Sequence, residues 1–459
     1  MSVFSLSNLK KTWYYLQKNG IRNAVWAVLE RIGQEQEVYT WQEPDEKTLS
    51  FQREHSASLR ISIVVPAYRT KKEHLEAMLN SVSKQSYPHW ELIVADAGDT
   101  AESVQAWAKK NGICLRKAAD ASNLAEWKDQ SIVLSTLSEN KGISANTNAG
   151  IELAAGDAVG LLDHDDLLTA NALWEMADCL EKEKKRGKQK LVLFSDEDKC
   201  DKAASRFYEP NFKPDFDGEL LLTNNYICHF TVIETAFLKE LKLRSGFDGA
   251  QDYDLVLRAY AAGGQFVHVP KVLYHWRCHE ASTASNPQSK RYAYEAGQRA
   301  LEDYCLRKGW KATVSGLKHL GFYREDYEDS VFCQRPEIGI WAKPLPGGRD
   351  IFGIRHPKGF LVSGLYENDG SMRYAGLRKG YSGPMHRAAL QQSAPAADLR
   401  SMEVCSALKE RYAQTIAELK EACQGLPTAA QETKILQKSM EFCKEATAAG
   451  YGILWDPQA

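Results

Sequence analysis

The chain has no Cys-x-x-Cys pair; its ten cysteines are scattered at 114, 179, 200, 228, 278, 305, 333, 405, 423 and 443. That spacing argues against a structural zinc site and reads as reduced thiols in a cytosolic compartment. No window approaches the roughly 18 consecutive apolar residues of a membrane-spanning helix, so none is expected. The N-terminus also lacks the apolar core of a secretory signal. Charge of neither sign dominates: 58 Lys and Arg face 60 Asp and Glu, for a net charge of -2. Such a balance gives no pull toward nucleic acid. Length, at 459 residues, is enough for two or three domains with a sizeable core.

What the sequence does have is a short apolar run, Ala158–Leu162, that ends abruptly in Asp163-His164-Asp165-Asp166. A run of this kind bounded by turn signals reads as a buried strand. Carboxylates crowded at its end repel one another unless a cation or a set of donors offsets them. Oxygen ligands without a Cys partner suit Mg²⁺ or Mn²⁺ rather than zinc. The plainer alternative is that these aspartates cap the next helix.

The neighbouring text narrows the choice. From 61 to 195 strands and helices alternate: Ile61–Val65, a helix carrying Leu75, Met78, Leu79 and Val82, then Glu91–Asp96, a helix near Ser103–Lys110, and a small-residue helix over Ile143–Ala155. Ala158–Leu162, a helix over Asn171–Lys184 and Leu191–Phe194 complete the series. This pattern predicts an α/β fold with a mostly parallel, doubly wound sheet. Such sheets bind ligands outside the carboxyl ends of their strands. There the chain places Pro66-Ala67-Tyr68, Asp96, Asp163–Asp166 and Ser195–Asp198.

Outside this block, residues 1–35 hold two short amphipathic stretches broken at Asn19-Gly20, with aromatics beside Lys10, Lys11, Lys18, Arg22 and Arg31. They predict either a helical hairpin packed on the main domain or peripheral contact with an anionic membrane face. Residues 36–59, polar with Pro44, read as a linker. Past 335 the text turns Gly-rich and then helical. Cys405, Leu408, Tyr412, Ile416, Leu419 and Cys423 step by three and four, a face that suits a core or a homo-oligomer seam.

Six motifs in order, over roughly residues 60–320, resemble glycosyltransferase family 2, inverting enzymes with a GT-A fold, and in particular a bacterial cell-surface polysaccharide type. They are Ile63–Tyr68 with Pro66-Ala67-Tyr68, Glu91–Asp96, Asn140-Lys141-Gly142 running to Asn146, Asp163-His164-Asp165, Gln251-Asp252, and Arg277-Cys278-His279. Three positions depart from the family pattern: Arg69, Ala97 and Gln251. Residues 336–459 resemble part of a second such domain ending in helices, without an Asp-x-Asp.

The resemblance implies roles. Asp165 and Asp163 would hold Mg²⁺ or Mn²⁺, with His279 completing the set. The donor, a UDP- or dTDP-sugar, would meet Pro66, Tyr68, Asp96, Asn140, Gly142, Asn146, Asp163 and Arg277. Asp252 would be the base that accepts the proton of the attacking hydroxyl, and Asp254 is structural. Asp196, Asp198, Asn225 and His275 are candidates for a glycan or lipid-linked acceptor, while Lys213 reads as solvated surface charge. The implied activity is sugar transfer in the cytoplasm, at or near the inner membrane face. The chief alternative is a non-catalytic module that binds nucleotide-sugar or glycan. A sugar-nucleotide pyrophosphorylase lacks support because no Gly-rich phosphate loop follows the first strand.

Overall fold

The computed structural model describes residues 39–120, 126–278, 291–316, 321–328, 330–342, 364–365, 402–422, 438 and 441–455. The helices expected over 1–35, together with His279 and Cys423, lie outside the described residues. The first half runs α1 (Glu46–Glu54), β1 (Ile61–Ala67), α2 (Lys72–Ser83), β2 (Trp90–Asp96), α3 (Ala101–Asn111), β3 (Cys114–Lys117) and β4 (Ser131–Thr136). It continues with α4 (Ile143–Leu153), β5 (Ala158–Leu161), β6 (Leu167–Leu168), α5 (Ala172–Lys185) and β7 (Leu191–Cys200). Then come β8 (Phe207–Asn211), α6 (Gly218–Thr223), β9 (Thr231–Glu234), α7 (Thr235–Leu241), α8 (Gln251–Ala261) and β10 (Gln265–Arg277). After them stand α9 (Arg291–Lys308), β11 (Ala312–Gly316), β12 (Tyr323–Tyr327) and α10 (Val331–Gln334).

One ten-stranded sheet organises this part, in the order β3-β4-β2-β1-β5-β9-β7-β10-β6, with β8 paired to β7. From β3 to β5 every neighbour is parallel. β9 is antiparallel to both β5 and β7, and β7 is parallel to β10. Inserting one reversed strand leaves β5 and β7 pointing the same way. The residues entering β9 therefore share an edge with the residues leaving β5 and β7.

The strands bury both faces, as a doubly wound sheet requires. Ile61, Ile63, Val65, Leu92 and Val94 pack with Met78, Leu79, Leu173 and Met176 of α2 and α5. Val64, Ile93, Val159 and Val192, on the alternate positions, pack with Ile151, Leu238 and Leu255 of α4, α7 and α8. Each such side chain contributes about 1.5–3 kcal/mol by leaving water. The small residues of α4 have a steric reason: a Cβ on Gly150 would come within 2.7 Å of Val64 Cγ1. A further core joins α6, α8, α9 and β12 through Leu221, Tyr253, Leu257, Leu301 and Tyr323.

Several elements differ from expectation. β3 and β4 were not anticipated, although Ile132-Val133-Leu134 carries the apolar signal of a buried strand. β7 runs on past Phe194 to Cys200, so the acidic Ser195–Asp198 stretch is strand rather than loop. β10 passes through Pro270 to Arg277; its register shifts between Val269 and Val272, the kind of irregularity that accommodates a proline. The stretch read as a linker carries α1, whose N-cap Asp45 accepts from the Thr48 amide and whose Gln52 is buried against Glu175 and Ser86.

Toward the C-terminus, β13 (Ile338–Ala342), β14 (Gly364–Leu365), β15 (Met402–Val404) and β16 (Gly452–Trp455) form a four-stranded sheet in the order β14-β16-β13-β15. The three-four stripe is split between α11 (Ser406–Arg411) and α12 (Ala413–Ala422) at Tyr412. Leu408 and Ile416 are buried, and Tyr412 sits edge-on to buried Phe442 with ring centres 5.7 Å apart. The stripe is core. Among the described residues no helix is long and apolar enough to cross a membrane.

A buried fork ties Arg335, just past α10, to α6: its two terminal nitrogens donate to Glu219 at 2.7 and 2.6 Å, and its guanidinium lies 4.7 Å from the Trp310 ring. Arg335→Leu strands the Glu219 carboxylate and should cost about 3–5 kcal/mol, read as a lower urea midpoint. Changing both partners to Leu should cost less than that; an equal loss would contradict the ion-pair account. Nearby, burial first and Glu219 second push Glu325 up to about 8. Because the folded value exceeds the usual 4.5, its contribution is present below that pH and is lost as pH rises through about 8. Glu325→Gln should flatten the fall in unfolding free energy between about pH 5 and pH 8. An unaltered slope would refute it.

Candidate active site

The carboxyl edge of the sheet gathers most of the expected residues. β1 delivers Tyr68, which is 39% exposed with the Arg69 guanidinium 5.1 Å from its ring centre. β5 ends at Leu161 and releases Asp163–Asp166. α8 starts at Gln251, with Asp252 in its first turn. His229 enters β9 at this same edge. Gly160 pairs with Val232, so Asp163 leaves β5 and His229 precedes β9 within three residues of that pair.

The end of β5 is electrostatically crowded. Burial first, and then the charge of Asp165, raise the Asp163 carboxyl above its usual range; Asp252 adds to this, while His229 and His164 oppose it. Asp166 is pushed up further by burial and by its two neighbours. It is fully engaged, accepting from the Tyr274 hydroxyl at 2.5 Å and the Arg277 amide at 2.7 Å. Asp163 and Asp165 thus form a pair of oxygen ligands that resist ionising together, the condition a divalent cation relieves. The donor set fits Mg²⁺ or Mn²⁺.

Below this loop lies a buried charge cluster that the sequence reading missed. The Glu197 carboxylate accepts from the Lys213 ammonium at 3.0 Å, the His229 amide at 2.7 Å, His229 Nδ1 at 2.9 Å and the Asn211 amide at 3.2 Å. Burial acts against its charge, yet Lys213 and His229 hold Glu197 below the usual carboxylate range. Lys213 also donates to the carbonyls of Ile227 and Cys228. It is 1% exposed, so the expectation of a solvated lysine is corrected. Burial alone would depress His229, but the charges of Glu197, Asp166 and Asp163 outweigh it and raise the imidazole to about 9. Nothing in the sequence tells a facing histidine at position 229 from a packed one.

On the other side of the crevice, the Asn225 side-chain amide donates to Asp252 Oδ2 at 2.8 Å. Asn225, expected at the acceptor, thus orients the candidate base. Its own oxygen, and both polar atoms of Asn224, are buried without hydrogen-bond partners among the described residues. Gln251 turns back to accept from the Gly249 amide at 2.8 Å. Asp254 is structural as expected, 1% exposed and engaged by Arg244 and Arg258.

Other expected contacts prove to be scaffold. Asp96 is fully buried, and its two oxygens accept backbone amides from Gly98, Thr100 and Ala101, so it caps α3 rather than facing a base. Asn140 accepts from the Gly142 amide and the Asn146 side chain, building the turn into α4. Gly142 supplies the φ of +94° that this turn needs. Arg277 is 2% exposed; its Nε and Nη1 donate to the carbonyls of Asp165 and Lys202, each at 2.6 Å. It braces the Asp165 loop from behind instead of reaching for a phosphate.

The acceptor candidates on β7 and β10 move inward too. Asp196 accepts from the Lys213 amide and meets His268 Nε2, both at 2.8 Å. Asp198 is clamped between the Tyr39 hydroxyl at 2.7 Å and His275 Nδ1 at 2.5 Å. His275 in turn lies under Trp41, with ring centres 5.0 Å apart. Asp196 and Asp198 have no exposed surface to offer an acceptor, and His275 is 2% exposed. Pro66, at the penultimate position of β1, is half-buried.

The frame and its carboxylates have a counterpart among known proteins: residues 62–241 match the model of "Glycosyl transferase family 2". Over these residues, less than half of the chain, the protein is similar to that family. An uncharacterised protein of Sinorhizobium fredii is 36% identical over 255 residues, covering 55% of this chain and 26% of the relative. The O-antigen biosynthesis protein RfbC of Myxococcus xanthus is 34% identical over 256 residues, or 56% of this chain and 19% of its own length. The amylovoran biosynthesis glycosyltransferase AmsB of Erwinia amylovora is 28% identical over 232 residues, 47% of this chain and 70% of AmsB. The chain thus spans about a quarter or less of the first two relatives. Among solved structures, S. aureus TarS 1–349 with UDP aligns at 19% identity and a TM-score of 0.39, over 54% of this chain and 66% of TarS 1–349.

The family domain leans on the Glu197–Lys213 pair. Lys213→Met should destabilise it by about 3–5 kcal/mol, because the buried Glu197 carboxylate loses one partner of its ion pair and is left to His229 alone. A solvated lysine would cost within about 0.5 kcal/mol. Chemical denaturation midpoints distinguish the two.

Proposed function

We propose that this chain is a metal-dependent inverting glycosyltransferase that moves a sugar from a nucleoside-diphosphate donor to a hydroxyl of a glycan or lipid-linked acceptor in cell-surface polysaccharide synthesis. The observation carrying the reading is that Asp163 and Asp165, at the end of β5 inside the family-matched segment, lie close enough to Asp252 at the start of α8 for its charge to act on Asp163. The relatives named for O-antigen and amylovoran biosynthesis support the direction of the product. A divalent cation held by Asp165 and Asp163 supplies positive charge to the departing diphosphate when bound.

The protein's own residues do the rest. Tyr68, exposed at the end of β1, stacks on the donor base; Arg277 and Tyr274 hold the Asp165–Asp166 loop in place. Asn225 fixes the Asp252 carboxylate, which accepts the proton of the acceptor hydroxyl as its oxygen attacks the anomeric carbon. With one base and no carboxylate assigned as nucleophile, the transfer is a single displacement with inversion.

Calorimetric titration with UDP, dTDP and GDP, each with Mn²⁺ or Mg²⁺ and then with EDTA, tests the reading. Binding of one diphosphate should depend on metal and vanish in Asp165→Ala. Asp252→Asn should retain that binding while losing turnover by about 100-fold or more. A folded protein that binds none of these nucleotides refutes the transferase reading and favours a glycan-binding module.

A further inference from the structure

His229 sits where the two halves of the site meet. It precedes β9 at the carboxyl edge of β5, three residues before the Gly160–Val232 pair, and its charge acts on Asp163. Cys228, its neighbour, lies near enough to both Asp252 and Asp163 for their charges to act on its thiol. The imidazole is rigidly mounted. Nδ1 is tied to Glu197 at 2.9 Å, one face stacks on Tyr274 with ring centres 5.2 Å apart, and Trp276 lies 4.7 Å away. Lys213 offsets the Glu197 charge that would otherwise be paired by His229 alone. Nε2 makes no hydrogen bond among the described residues, and the side chain remains 20% exposed.

In a displacement, the group that occupies the space between the leaving diphosphate and the attacking hydroxyl is the transferred sugar. We propose that His229 grips that sugar, donating from Nε2 to a ring oxygen or hydroxyl, and so selects the sugar of the donor. The inference rests on the transferase reading and adds a residue to it. Glu197 and Lys213 become positioning residues for His229. A site built around one fixed donor discriminates strongly, because a sugar lacking the matching oxygen leaves that donor unpaired.

The test compares each nucleoside diphosphate with its sugar conjugate on the intact chain with Mn²⁺, by calorimetry: UDP with UDP-glucose, UDP-galactose and UDP-N-acetylglucosamine, dTDP with dTDP-rhamnose, and GDP with GDP-mannose. Two variants split the imidazole. His229→Asn keeps a donor near the position of Nδ1 for Glu197 and removes the Nε2 side; His229→Gln places an amide nitrogen near the position of Nε2. Asn should weaken the preferred nucleotide-sugar about tenfold or more while changing its free diphosphate less than twofold, and Gln should recover part of the loss. Equal weakening of diphosphate and conjugate, or no change in either, overturns the assignment while leaving the transferase reading standing. Absence of nucleotide binding in the unaltered protein overturns both.

Discussion

Carboxylate repulsion at the end of β5 is the constraint around which this domain is arranged. Asp163, Asp165 and Asp166 leave a buried strand within four residues, Asp166 buried and the other two half-buried, so their charges crowd one another. The fold answers with fixed donors. Tyr274 and the Arg277 amide take up Asp166, the Arg277 side chain pins the Asp165 carbonyl, and His229 brings a cation alongside Asp163. Asp163 and Asp165 crowd one another at the strand end, the charge of Asp165 raising the Asp163 carboxyl. Burial that penalises the isolated carboxylates is the same burial that strengthens their hold on a cation.

Polar residues around the crevice divide into those that face it and those that hold the facing ones. Arg277, Asn225, Glu197 and Lys213 belong to the second group, each buried or half-buried and each bonded to a loop that carries a facing side chain. Such an arrangement lets irregular backbone sit rigidly at a sheet edge, because its carbonyls and amides find partners within the protein. The same logic continues outward through Asp198, His275, Tyr39 and Trp41, which fasten the segment ahead of α1 onto β7 and β10.

The reversed strand β9 has a functional consequence beyond topology. Without it, the loop entering that strand would open at the amino edge of the sheet, away from Asp163 and Asp165. Its reversal brings Asn225, Cys228 and His229 to the carboxyl edge, between β5 and α8. The second core, built on α6, α8 and α9, then fixes α8 so that Asp252 closes the crevice. Arg335 and Glu219 couple the chain beyond this core to α6 through a buried fork, so the segment after the family domain is attached to the element beneath the candidate base.

The sequence by itself determined the alternation of strands and helices, the carboxyl-edge placement of Tyr68, Asp163 and Asp165, and the position of Asp252 at a helix start. These follow from local periodicity and from a fixed order of short motifs, both of which are properties of neighbouring residues. Tertiary structure alone decided which polar residues are buried. Ser195–Asp198 reads as a strand end offering Asp196 and Asp198 to an acceptor because no local rule supplies partners for its charges; the partners are His268, His275, Lys213 and Tyr39, remote in sequence. Asp96 looks like a nucleotide contact until the amides of Gly98, Thr100 and Ala101 occupy its oxygens. His229 acquires a facing position only from the pairing of β9 with β5 and from the clamp of Glu197. A charge's surroundings depend on chain segments brought together by packing, and no stretch of sequence contains them.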